Sequence, residues 1–104
     1  MSQSDRDLIQ NHLARYCFAV DRESADAIAA LFWEDARLEF NGTHVGRAAI
    51  RACYEDWINT KRAPVEGLRH MIYMPLIDLD GDHARTETYV DADAHTRRSG
   101  RTVL

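Results

Sequence analysis

Residues 68–96 read LRHMIYMPLIDLDGDHARTETYVDADAHT. Leu68, His70, Ile72, Met74 and Leu76 recur every second position. So do Ala84, Thr86, Thr88, Val90, Ala92 and Ala94, a face of small side chains. The positions between are polar: His83, Arg85, Glu87, Tyr89, Asp91, Asp93 and His95. A period of two is that of a strand with one face buried. Asp80-Gly81 lies between the two runs and signals a tight reversal. The stretch therefore predicts two long antiparallel strands, 68–79 and 83–96, and that choice decides the fold class.

Upstream the period changes. Ser4 is placed to cap a first helix, with Asp7 three positions on. Ile9, Leu13, Tyr16, Cys17 and Val20 then follow at three and four, one helical face. Asp21 comes four residues after Cys17, at the edge of that stripe and at the helix end. A second helix is expected over 24–32, with Ile28, Leu31 and Phe32 inward. Ala36, Leu38 and Phe40 alternate as a short half-buried strand, and Asn41-Gly42 turns the chain. Gly46 precedes a third helix whose inner positions are Ile50, Cys53, Tyr54, Trp57 and Ile58. Pro64 and Gly67 break the chain before the first long strand. Ser99-Gly100 turns into a short run, 101–104. Helices followed by an antiparallel sheet make an α+β layout with the helices on one sheet face. Small side chains on that face leave space, and enclosed space is a ligand pocket by default.

The 104 residues suit one domain, 1–104, with one modest core. A net charge of −4 offers no basic stripe for phosphates, so no nucleic-acid partner is expected. The one basic cluster, Arg97, Arg98 and Arg101, reads as a solvated turn. Two cysteines, Cys17 and Cys53, fall at apolar helical phases and read as free thiols of a reducing compartment. The N-terminus carries no run resembling a leader or a membrane span, so a cytoplasmic protein without membrane attachment is expected. The sequon at Asn41-Gly42-Thr43 is then a chance match.

RYCFAVDRESADAIAALFWEDARLEF (15–40), GRAAIRACYEDW (46–57) and GLRHMIYMPLIDLDGDHARTETYV (67–90) occur in this order. Together they resemble the SnoaL-like branch of the nuclear-transport-factor-2-like superfamily, which includes ketosteroid isomerases, scytalone dehydratase, a lindane dehydrochlorinase and polyketide cyclases. The resemblance implies a conical barrel of three helices over a curved antiparallel sheet, with a deep apolar pocket. It implies a catalytic dyad of Asp21 and His70, matching the dehydratase and dehydrochlorinase pattern. It also implies an oxyanion donor at Tyr16, matching the isomerase tyrosine. The isomerase general base falls at Phe40, which cannot take a proton. Thr88 stands near a second histidine of scytalone dehydratase, so that enzyme's particular chemistry does not carry over. Val20, Phe40, Tyr54, Trp57, Ile72, Met74 and Thr88 are expected around the pocket. Family members continue through two further long strands, so the C-terminal strands are expected to be incomplete, or the sheet edge covered by a partner.

The residue chemistry fits a proton-transfer enzyme. An imidazole titrates near neutral pH and serves as a general base. A carboxylate on one ring nitrogen fixes the tautomer and frees the other nitrogen. Tyr16 would polarise a carbonyl that gains charge. The expected function is a small cofactor-independent lyase or isomerase acting on a small, largely apolar substrate, polyketide-like or aromatic. The alternative is a non-catalytic ligand-binding or assembly module, as in dioxygenase small subunits. No cofactor is expected. Asp91, Asp93 and His95 share a strand face but supply no clear fourth metal ligand, so no metal is expected either. Tyr73 and Tyr89 point outward, and a homodimer through the outer sheet face is expected.

Overall fold

The reversal at residues 81 and 82 does form, but the long strands on either side of it are each broken in two. The structure is a computed structural model that describes residues 4–96 and 101–103, and the side chains of 4–96. Helix α1 spans Asp5–Arg22, with the Ser4 hydroxyl accepting the Asp7 N–H at 3.1 Å. Helix α2 is only Ala25–Ala29, capped by Ser24, and Leu31 and Phe32 lie in the turn after it. Strands β1 (Arg37–Glu39) and β2 (Thr43–Val45) form a hairpin. Asn41 and Gly42 turn it at positive φ, 50° and 119°. The sequence reading missed β2, which has three residues and only one inward side chain. Helix α3 spans Arg47–Trp57 and runs into a π-helical turn, Ile58–Arg62.

Strands β3 (Val65–Ile72), β4 (Leu76–Asp80), β5 (His83–Glu87) and β6 (Val90–Thr96) follow, then β7 (Arg101–Val103). Antiparallel pairing gives the order β3-β6-β7, with β4-β5 as a separate two-stranded arm. The remainder of the basic cluster, Arg97 and Arg98, and the Ser99-Gly100 turn lie outside the described residues.

The break has a physical cause. Pro75 has no N–H to give a ladder, and residues 73–75 leave it. Ile72 pairs with Val90, but Leu76 pairs with Glu87. Four steps along the first strand therefore oppose three along the second. One extra residue inverts the facing of everything beyond it. Leu76, expected inward, is 62% exposed, while Ile77 is 5% exposed and its carbonyl accepts Nη1–H of Arg6 in α1 at 2.9 Å. Met74 sits in the break itself. A second extra residue lies between Glu66 and Arg69, where Gly67 takes φ +63° as a glycine bulge requires. These two bulges bend the sheet around the helices.

The core lies among the three helices. Ile28, Ile50 and Tyr54 are fully buried, with Ala19, Val20 and Ala25 beside them. Among the described residues no helix is long and apolar enough to cross a membrane.

Candidate functional site

Asp21 occupies the last turn of α1, where backbone carbonyls already concentrate partial negative charge. Its carboxylate is not wasted there. Strand β3 is the edge of its sheet, and an edge strand presents unpaired N–H groups. The His70 backbone N–H donates to Asp21 Oδ1 at 2.9 Å and to Oδ2 at 3.1 Å. The same Oδ1 accepts the ring Nδ1–H of His70 at 2.6 Å. One carboxylate thus holds both the backbone and the ring of one residue. The pair is sheltered, the side chains being 10% (Asp21) and 19% (His70) exposed.

The other ring nitrogen is the chemically interesting one. Nε2 of His70 bonds to no described residue. Yet no buried side-chain nitrogen or oxygen among the described residues lacks a partner. Nε2 is therefore not fully buried and carries no protein partner among the described residues. The Trp57 ring lies 6.1 Å from the imidazole, centroid to centroid, and walls one side. Arg62 donates Nη1–H to the Val20 carbonyl at 3.1 Å. That satisfies one of the carbonyls left open at the end of α1 and brings a cation to the residue before Asp21. The sequence reading gave Arg62 no role. It lies in the π turn, which residue periodicity does not signal.

Tyr16 is bonded to the hydroxyl of Tyr54, not to the dyad. Burial pushes both phenols up, Tyr54 furthest. Either hydroxyl can donate in this bond, so one of the two phenol protons stays available to a further acceptor. An aromatic chain links the groups: Tyr16 meets Tyr54 at 6.3 Å, and Tyr54 meets Trp57 at 6.4 Å. Phe40 stacks on Tyr54 at 6.1 Å. The sequence reading treated Tyr54 only as wall, because nothing in the helical pattern reveals which hydroxyl it meets.

The remaining expected pocket residues divide. Val20 is buried in the core and Ile72 is half-buried on the His70 face. Met74 is 91% exposed and lines nothing near the dyad, since the break at Pro75 turned it out. The Thr88 hydroxyl donates to the carbonyls of Tyr73 and Tyr89, so it closes the break instead of facing a substrate. Two sizeable cavities lie nearby. One of 550 Å³ separates α1 from Ala84 and Thr86 of the arm, where small side chains were expected to leave room. One of 490 Å³ is lined by Phe40 and Trp57 among others. Neither lining includes Asp21 or His70.

Two members of the strand-face trio Asp91, Asp93 and His95 bond to neighbouring side chains. The Tyr73 hydroxyl donates to Asp91, and Arg69 pairs with Asp93 at 2.8 Å. Among the described residues no three His, Cys, Asp or Glu side chains come close enough to hold an ion.

Three helices on a bent antiparallel sheet, with a carboxylate–imidazole pair at the helix–strand junction, define a class of small α+β domains. The chain belongs to the SnoaL-like domain family, whose model matches residues 1–104. No curated protein matches it. Among solved structures it is similar to Rv3472 of Mycobacterium tuberculosis, described as a protein of unknown function, at 29% identity and a TM-score of 0.79. That match covers 92% of this chain and 54% of the other, so the chain spans about half the length of that relative. A Nostoc punctiforme protein described as having a cystatin-like fold is 24% identical, with a TM-score of 0.75 over 98% of this chain and 76% of its own. A Novosphingobium aromaticivorans protein assigned as a scytalone dehydratase is 23% identical, with a TM-score of 0.76 over 98% and 72%. The last two likenesses show the fold.

Proposed function

We propose that the domain removes a proton from a carbon acid in a small, largely apolar substrate, as a lyase or isomerase does. The observation that carries this is the 2.6 Å bond from His70 Nδ1 to Asp21, with Nε2 bonded to no described residue. The carboxylate selects the tautomer with hydrogen on Nδ1, so Nε2 is the base. As Nε2 gains the proton, the imidazolium forms against a carboxylate already in place. Tyr16, bonded to the Tyr54 hydroxyl, offers its own hydroxyl proton to the oxygen that gains charge when Tyr54 is the donor of that bond. The Trp57 ring keeps one side of the approach apolar. The name of the Novosphingobium relative is in keeping with this reading.

The test uses a generic carbon acid. In D2O, 2-tetralone takes up deuterium next to its carbonyl, read by mass spectrometry. The wild type accelerates uptake and His70→Gln does not. Equal rates with both proteins would end the enzymatic reading.

A second reading is favoured by one observation. Met71, Tyr73, Leu76, Tyr89 and Val90 are all exposed along the bent hairpin. That row suits an assembly surface, and a homodimer through the outer sheet face is its simplest form. Sedimentation at micromolar concentration separates a dimer from a monomer.

A further inference from the structure

The 490 Å³ groove does not belong to the dyad. Successive residues of a helix turn by about 100°. Ile50 and Tyr54 therefore define the core face of α3, while Ala49, Ala52, Cys53 and Asp56 define a flank roughly 100° away. The groove runs along that flank, between α3 and the β1–β2 hairpin. Trp57 falls at the border of the two faces, so it serves the groove as well as the dyad. Its size lies within the roughly 300–1,000 Å³ range of small-molecule sites.

The lining has an order. Phe40 and Trp57 supply aromatic surface, and Phe40 is held by its stack on Tyr54. The His44 ring Nε2 donates to the Phe40 carbonyl at 3.0 Å and fixes the hairpin wall. Asp56 and Lys61 both line the groove. Among the described residues neither has an ion-pair partner. Burial pushes the Cys53 thiol up, and the Asp56 carboxylate adds to it, which places that charge toward the groove. An aromatic anion would meet Lys61 but be repelled by Asp56. An aromatic amine would meet the reverse. A ligand carrying both charges complements both side chains.

We infer that this groove is a binding site for a small aromatic zwitterion of amino-acid type, its ring against Phe40 and Trp57, its carboxylate on Lys61 and its ammonium on Asp56. The site shares Trp57 with the dyad but includes neither Asp21 nor His70.

The test follows the Trp57 indole N–H in ¹⁵N-¹H NMR spectra of the full chain, distinguished from that of Trp33 with a Trp33→Phe variant. Three probes are titrated: L-phenylalanine, 3-phenylpropionate without the ammonium, and phenethylamine without the carboxylate. L-Phenylalanine should shift the Trp57 signal and bind about tenfold tighter than either fragment. Lys61→Gln should erase its advantage over phenethylamine, and Asp56→Asn its advantage over 3-phenylpropionate. Both side chains are exposed, so neither change threatens the fold. Equal affinity for all three probes, or no Trp57 shift with L-phenylalanine at millimolar concentration, overturns the assignment.

Discussion

Replacing Asp21 by alanine and by asparagine separates two jobs that one carboxylate performs. It accepts from the His70 ring once and from the His70 backbone N–H twice. Alanine removes every acceptor. Losing a charge-assisted hydrogen bond costs about 1.5–3 kcal/mol, and orphaning a sheltered N–H costs a further ~1–3 kcal/mol. The sum, about 2.5–6 kcal/mol, brackets the usual cost of about 3–5 kcal/mol for breaking a buried pair from one side. Asparagine keeps an oxygen for the backbone N–H and loses mainly the charge, so it should cost only ~1 kcal/mol. Urea unfolding, followed by circular dichroism, measures both. The alanine midpoint should fall well below that of asparagine at an unchanged m-value. Asparagine should still lose deuterium exchange activity, because its NH2 group, facing Nδ1, draws the ring to the other tautomer. If alanine and asparagine unfold together within about 0.5 kcal/mol of wild type, the ordinary range for surface changes, the carboxylate grips nothing and the reasoning fails.

Other outcomes follow from packing and ionisation. Ile28 is fully buried among the helices, so Ile28→Ala should lose about 2–5 kcal/mol by urea unfolding. Gly67 sits at φ +63°, and a Cβ there would meet the His95 ring at 3.4 Å; Gly67→Ala should cost about 1–2 kcal/mol and broaden the NMR signals of β3. Burial raises the Tyr16 and Tyr54 phenols, so the folded state holds protons that the unfolded state releases near pH ~10. Stability should be level below that pH and fall above it, and the Tyr16→Phe, Tyr54→Phe double variant should flatten the fall.

The sequence carried the parts of this fold that depend on local period. Ser4 and Ser24 cap the first two helices as their side chains dictate, and the inner stripe of α1 ends at Val20 where the core ends. Asp21 and His70 were found because each lies at a phase that faces the other element, and because the SnoaL-like resemblance gave the pair a reason. The hairpin was half legible. Even-numbered positions 84, 86, 92 and 94 keep one facing along the second strand, but the first strand changes facing between Ile72 and Ile77. Counting by twos cannot see an inserted residue. Pro75 was the available signal, since a proline in a paired strand marks an interruption. Reading it would have moved Met74 out of the pocket and Ile77 into the interior. Tyr54 and Arg62 needed three dimensions: one hydroxyl's choice of partner and one guanidinium's reach to a carbonyl are tertiary facts.

The most direct test of the account is the tautomer of His70, read from its ring ¹⁵N shifts in the intact protein just above neutral pH. Hydrogen on Nδ1, with Nε2 bare and this pattern lost in Asp21→Asn, is the result expected. Hydrogen on Nε2 in the wild type would mean that the nitrogen away from Asp21 has no free lone pair, and it could not serve as the base.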